Sequence, residues 1–202
     1  MWGLVESGSI TKFITKPRGL VIGDVRHSRK IFELWSKSEL EAIGIYEVEF
    51  DNSNKKDEKW YNNTNQSFAF AGGKITASYG SATAKAHADT LFTAQDEIDG
   101  KGTEGEVNAR GLKYNLIQKV KQQAAGLLQN TDWYITRKSD AGTEVPSSIT
   151  TYRASVRTKA DEMETSITNA SNTPALETLY TFTKQEDGSV TRPLGELPTL
   201  ES

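Results

Sequence analysis

Six apolar residues recur between residues 149 and 167 at spacings of 3, 4, 4, 3 and 4: Ile149, Tyr152, Val156, Ala160, Met163 and Ile167. That rhythm follows one side of an α-helix, and its narrowness is that of a seam between two rods. The spacing predicts a helix over 147–170, with Arg153, Arg157, Lys159, Asp161, Glu162 and Glu164 on its other faces. A partner seam lies upstream. Leu112, Leu116, Ile117, Val120, Ala124, Leu127 and Leu128 share a side of a helix predicted over 104–129. Lys113 interrupts that side, and Gly111 and Gly126 each weaken the helix by roughly 1 kcal/mol relative to alanine. Two such rods describe a helical hairpin or small bundle.

The region before about residue 82 follows a different rule. Gly19-Leu20-Val21-Ile22-Gly23 and Ile45-Tyr46-Glu47-Val48-Glu49-Phe50 read as strands. Phe68-Ala69-Phe70-Ala71 and Lys74-Ile75-Thr76-Ala77-Ser78-Tyr79 flank Gly72-Gly73, a glycine pair suited to the positive φ angles of a two-residue hairpin turn. One short helix interrupts the strands at 36–44, with Ser36 as N-cap, Glu39 completing a capping box and Gly44 ending it. The fold class expected is therefore α+β: a small β-rich N-terminal module over 1–81, then an α-helical hairpin or bundle module over 82–182, then a turn and extended tail over 183–202. Within the second module the alanine-rich stretch 82–98 predicts a helix ending near Gly100. Residues 130–146 read as a loop, and Thr173-Pro174 as the N-cap and first-turn proline of a short helix over 174–180. Asp187-Gly188 marks a turn between Thr181-Phe182-Thr183 and Val190-Thr191.

Composition narrows the chemistry. The 202 residues contain no cysteine, which excludes disulfides and thiolate metal sites. Net charge is −3 and the cations are scattered, so no basic stripe offers a footprint for nucleic acid. No apolar run approaches the ~20 residues that span a bilayer. Met1 to Glu6 lacks the basic start and apolar centre of a signal peptide, so synthesis in the cytoplasm is expected. His27 and His87 stand apart, without ligand-spaced neighbours. Gln95 to Glu106 has Gly100 where a calcium loop needs glycine, but glutamine replaces the aspartate that anchors such a loop, so an acidic interhelical loop is the reading. Gly100-Lys101-Gly102-Thr103-Glu104-Gly105 lacks the G-K-[ST] ending of a phosphate loop. No catalytic, cofactor or metal residues are assigned, and a non-enzymatic protein is expected.

Leu127-Leu128-Gln129-Asn130-Thr131-Asp132-Trp133-Tyr134, then Val145-Pro146, then Tyr152-Arg153-Ala154-Ser155-Val156-Arg157 form an L-L-x-x-[ST]-D-W…P…Y-R-x-x-[VL]-R pattern. This pattern resembles the tail-assembly-chaperone-like family of tailed bacteriophages, over about residues 108–170. The spacer between Asp132-Trp133 and Pro146 is longer than the family's. Ile31 to Trp35 with Ala42 to Tyr46 is similar to N-terminal segments of phage tail and baseplate-associated proteins. Ala94 to Glu97 with Arg110 to Tyr114 is similar to virion proteins of marine phages. The resemblance implies a virion component at the tail (fibre, baseplate or adaptor) made in the bacterial host cytoplasm. Its partners would be other phage tail proteins, in a homo-oligomer or symmetric assembly. A transient fibre-assembly chaperone and a host-receptor-binding tip are the alternatives.

The motif residues Leu128, Asp132, Trp133, Pro146, Tyr152, Arg153 and Arg157 are the expected structural cluster. Asp132 can pair with Arg153, and Trp133 can pack on Tyr152 and Leu128. A tryptophan so buried would cost ~3–5 kcal/mol on truncation to alanine. Trp60 and Tyr61, beside Asn62 and Asn63, are candidate surface aromatics for a receptor-binding tip.

Overall fold

The computed structural model describes residues 1–200. The chain is α+β, with strands concentrated in its N-terminal half and helices in its C-terminal half. It divides into two compact units, the first Met1–Thr83 and the second beginning at Ala84.

The first unit contains β1 (Trp2–Glu6), β2 (Ser9–Ile14), β3 (Leu20–Ile22), β4 (Val25–His27), α1 (Ile31–Leu34), α2 (Lys37–Ala42), β5 (Ile45–Asp51), β6 (Tyr61–Asn62), β7 (Ser67–Ala71) and β8 (Lys74–Ser78). A five-stranded mixed sheet runs β2-β1-β5-β8-β7, with only the β5–β8 pair parallel. The sheet curls until its two end strands approach, with the rings of Phe13 and Phe68 4.5 Å apart. Alternation sorts the side chains between two cores. On one side Leu4, Ile14 and Ile45 pack with Leu20, Ile31 and Leu40 from the β3–α2 segment. On the other Val48, Ile75 and Ala77 meet Val5, Ile10, Tyr46, Phe68 and Phe70. Gly3 belongs to that second side because Ile75 occupies the space a side chain would need: a Cβ there would lie 2.4 Å from Ile75 Cδ1.

Local signals in this unit act as read. Ser36 accepts from the Glu39 amide while Glu39 accepts from the Ser36 amide, a complete capping box. Gly72 and Gly73 turn the β7–β8 hairpin with φ of 59° and 75°. β3 pairs antiparallel with β4.

After β9 (Thr83–Ala84), the second unit contains β10 (Thr90–Leu91), α3 (Ala94–Ile98), β11 (Val107–Ala109), α4 (Leu112–Gln129), α5 (Asp132–Ala141), α6 (Ser147–Asn169), α7 (Thr173–Tyr180), β12 (Thr183–Lys184) and β13 (Val190–Thr191). α4 and α6 pack along their seams. Leu116, Val120 and Ala124 are buried from one, and all six stripe residues from the other. Lys113 leaves the seam by donating to the Thr168 carbonyl.

Several expectations are corrected here. Residues 82–98 are helical only over α3, because β10 pairs with β11 and Thr93 caps α3, its hydroxyl accepting from the Asp96 amide while the Asp96 carboxylate accepts from the Thr93 amide. The long helix starts at Leu112 rather than 104, since Val107–Ala109 is used as strand. Gly111 is thus the N-cap, not a weak interior position. Residues 130–146 are not a loop: they hold α5, which ends at Gly142 with φ 66°. As expected, β12 and β13 pair around the Asp187-Gly188 turn. The tail beyond them is not simply extended: Leu194 is only 2% exposed, its amide donating to the Leu179 carbonyl. Glu201 and Ser202 of the expected tail lie outside the described residues. The N-cap of α7 is Asn172, one residue before Thr173.

Candidate functional site

Leu128, Thr131 and Asp132 of the motif come together around one cation, Arg153. Arg153, on α6, is 8% exposed. Its Nη1 donates to the Leu128 carbonyl at 2.8 Å and to the Thr131 hydroxyl at 2.7 Å. The same nitrogen lies 2.8 Å from Asp132 Oδ1. Thr131, itself buried, donates its hydroxyl to the Leu128 carbonyl. A guanidinium buried without acceptors would be costly; here the open end of α4 supplies them, where the last carbonyls of a helix lack intrahelical donors. Arg153 therefore ties together the end of α4, the start of α5 and the middle of α6.

The remaining motif residues divide. Tyr152 is buried on the α6 stripe, and Pro146 caps that helix, its carbonyl accepting from the Thr150 amide. Arg157 stays outside the cluster and reaches back to the Arg153 carbonyl at 3.5 Å. Trp133 is a correction: it does not close the corner against Tyr152 and Leu128 but is 52% exposed. Its ring lies 3.9 Å from that of Tyr134, and the Arg137 guanidinium sits 4.6 Å above it. Once 132–141 is helical, the Asp132 side chain points to Arg153 and the next residue turns about 100° away.

Trp60 and Tyr61 are also corrected. They are 3% and 5% exposed and so offer no surface patch. Lysines cover both rings, Lys59 over Trp60 at 4.3 Å and Lys56 over Tyr61 at 4.5 Å.

Thr131 and Tyr134 stand in the quoted pattern without an assigned role, and Arg137 lies outside it. Arg137 stands four residues after Trp133, a spacing that places a cation over a ring on one helix face, so the signal existed once α5 was known.

The carboxylates of the 95–106 segment serve the local fold. Asp96 caps Thr93, and Lys101 reaches Asp96 and Asp99 at 3.3 and 2.9 Å. Among the described residues no cluster of three or more metal-ligating side chains occurs. A groove of about 330 Å³ lies between α4, α6 and the 192–197 segment, lined in part by Leu127, Met163 and Leu197. Its two ionisable residues, Arg192 and Glu196, pair with each other at 2.7 Å. No described helix is long and apolar enough to cross a membrane. Comparison with protein-family models, with curated proteins and with solved structures finds no match.

Proposed function

We propose that the chain is a non-enzymatic structural component of a phage tail, built into the fibre, baseplate or a tail adaptor through protein–protein contacts. One observation carries this reading. The pattern on which the resemblance to the tail-assembly-chaperone-like family rests runs from Leu127 to Arg157, and four of its residues, Leu128, Thr131, Asp132 and Arg153, meet at the Arg153 guanidinium although they span 26 positions of sequence. The node gives the motif a physical purpose: it holds α5 in place while Trp133 and Tyr134 remain at the surface. Tryptophan, tyrosine and arginine held on a rigid helix are the residue types that anchor protein interfaces. Other tail proteins are the partners proposed, in a homo-oligomeric or otherwise symmetric assembly, with neither nucleic acid nor membrane involved.

Mass spectrometry of purified phage particles tests the reading. Peptides of this chain at a fixed ratio to other tail proteins are expected. Absence from particles, with co-purification on unassembled fibres from infected cells, would replace it with the transient-chaperone reading. Absence from both overturns it. The receptor-tip alternative has lost Trp60 and Tyr61, the residues that suggested it.

A further inference from the structure

We infer that the outer face of α5 is a self-complementary contact, through which two copies of this chain pair antiparallel about a two-fold axis. Trp133, Arg137 and Asp140 stand at i, i+4 and i+7, which aligns them along one side of the helix. Four charged residues lie on α5. Asp132 is taken by Arg153, and Lys138 by Glu144 at 2.6 Å. Arg137 and Asp140 have no ion pair and no side-chain hydrogen bond among the described residues, either with each other or elsewhere. Arg137 Nε is buried against its surroundings without an acceptor. Its guanidinium lies over the rings of Trp133 and Tyr134, at 4.6 and 5.5 Å. Rings on one flank reduce hydration of the cation and strengthen its attraction to a carboxylate arriving at the other.

The charge pattern selects the occupant. A foreign acidic segment would satisfy Arg137 and set its own negative charge against Asp140. A second α5 running the other way satisfies both. An axis passing between residues 137 and 140 puts each Arg137 against Asp140 of the partner subunit, and lays each Trp133 just past the C-terminal end of the partner's α5. The contact repeats itself, as two-fold interfaces must. A ten-residue helix is only ~15 Å long, so the contact is smaller than the ~800 Å² per partner of a standard interface. Association in the micromolar to millimolar range follows, adequate where neighbouring contacts raise the effective concentration.

The assembly role of this contact rests on the function proposed above; dimerisation itself is a property of the purified chain. Sedimentation velocity of the full chain, from about 10 µM to about 1 mM at low salt, tests it. A reversible dimer is expected. Arg137→Asp and Asp140→Arg each place like charges face to face twice and should weaken it at least ~10-fold. An equal mixture of the two variants faces opposite charges twice, and should associate at least as well as the wild type. The double variant should restore the homodimer. Circular dichroism confirms that each variant is folded. A wild-type chain that stays monomeric throughout, single variants that dimerise normally, or a mixture no better than its components would each overturn the inference. Those outcomes leave the particle-composition test untouched, just as absence from particles would leave a dimer standing.

Discussion

Replacing Arg153 by methionine would remove a guanidinium while keeping most of its buried volume. The Leu128 carbonyl would retain its bonds from Thr131, whereas the buried Thr131 hydroxyl would lose a charged donor. Hydrogen bonds from charged groups contribute ~1.5–3 kcal/mol each, but these two share one nitrogen and are not additive. The Asp132 carboxylate, whose side chain is 56% exposed, adds at most ~1 kcal/mol. The apolar replacement offsets about 1 kcal/mol of the total. A net loss of about 2–3 kcal/mol results, a fall of roughly 10 °C in melting temperature for a unit of this size. Urea and thermal denaturation followed by circular dichroism would measure it, with two controls. Asp132→Asn should cost no more than ~1 kcal/mol, because water replaces an exposed ion pair. Trp133→Ala should cost about 1–2 kcal/mol, below the ~3–5 kcal/mol of a fully buried tryptophan, since half its surface is already in water. If Arg153→Met proves no worse than Asp132→Asn, the node is not what joins the three helices. If Trp133→Ala costs several kcal/mol, the tryptophan is buried in solution and the α5 contact loses its centre.

Other positions give equally direct tests. Gly3→Ala should destabilise the first unit by ~1–3 kcal/mol through overpacking against Ile75, and adding Ile75→Val, which deletes the clashing Cδ1, should recover part of that loss in the same denaturation assay. Gly111→Ala should be worse than an ordinary N-cap change, because its Cβ would fall 2.3 Å from the Ala88 carbonyl carbon and oxygen, backbone atoms that cannot rotate away; a lowered melting temperature with reduced helicity is expected. The Gly111 amide, and then Arg110, hold the Asp89 carboxyl below the usual carboxylate range. Its ionised form therefore favours folding above about pH 4, and that contribution is lost as pH falls through the lowered value. Amide hydrogen exchange at Gly111 should accelerate, relative to intrinsic rates, over that acid interval in the wild type and be fast at all pH values in Asp89→Ala, which removes the acceptor.

Elements governed by nearest neighbours were legible in the chain. The Ser36–Glu39 box, the Gly72-Gly73 turn, the Asp187-Gly188 hairpin and the two apolar seams all depend on interactions within a few residues or one helical turn. Wherever a distant partner decides, the sequence was silent. Residues 82–92 have the alanine content of a helix, yet strand pairing with 107–109 and the Asp89–Gly111 bond hold them extended. α5 lacks a buried residue and hence the periodic stripe that announces a helix; its start is held by Arg153, 21 residues beyond Asp132, and its end by Gly142. Trp133 and Trp60 exchanged their expected places for the same reason. A tryptophan's apolar area is large enough to be buried in either setting, and only the path of the backbone in three dimensions determines which ring has neighbours to bury it.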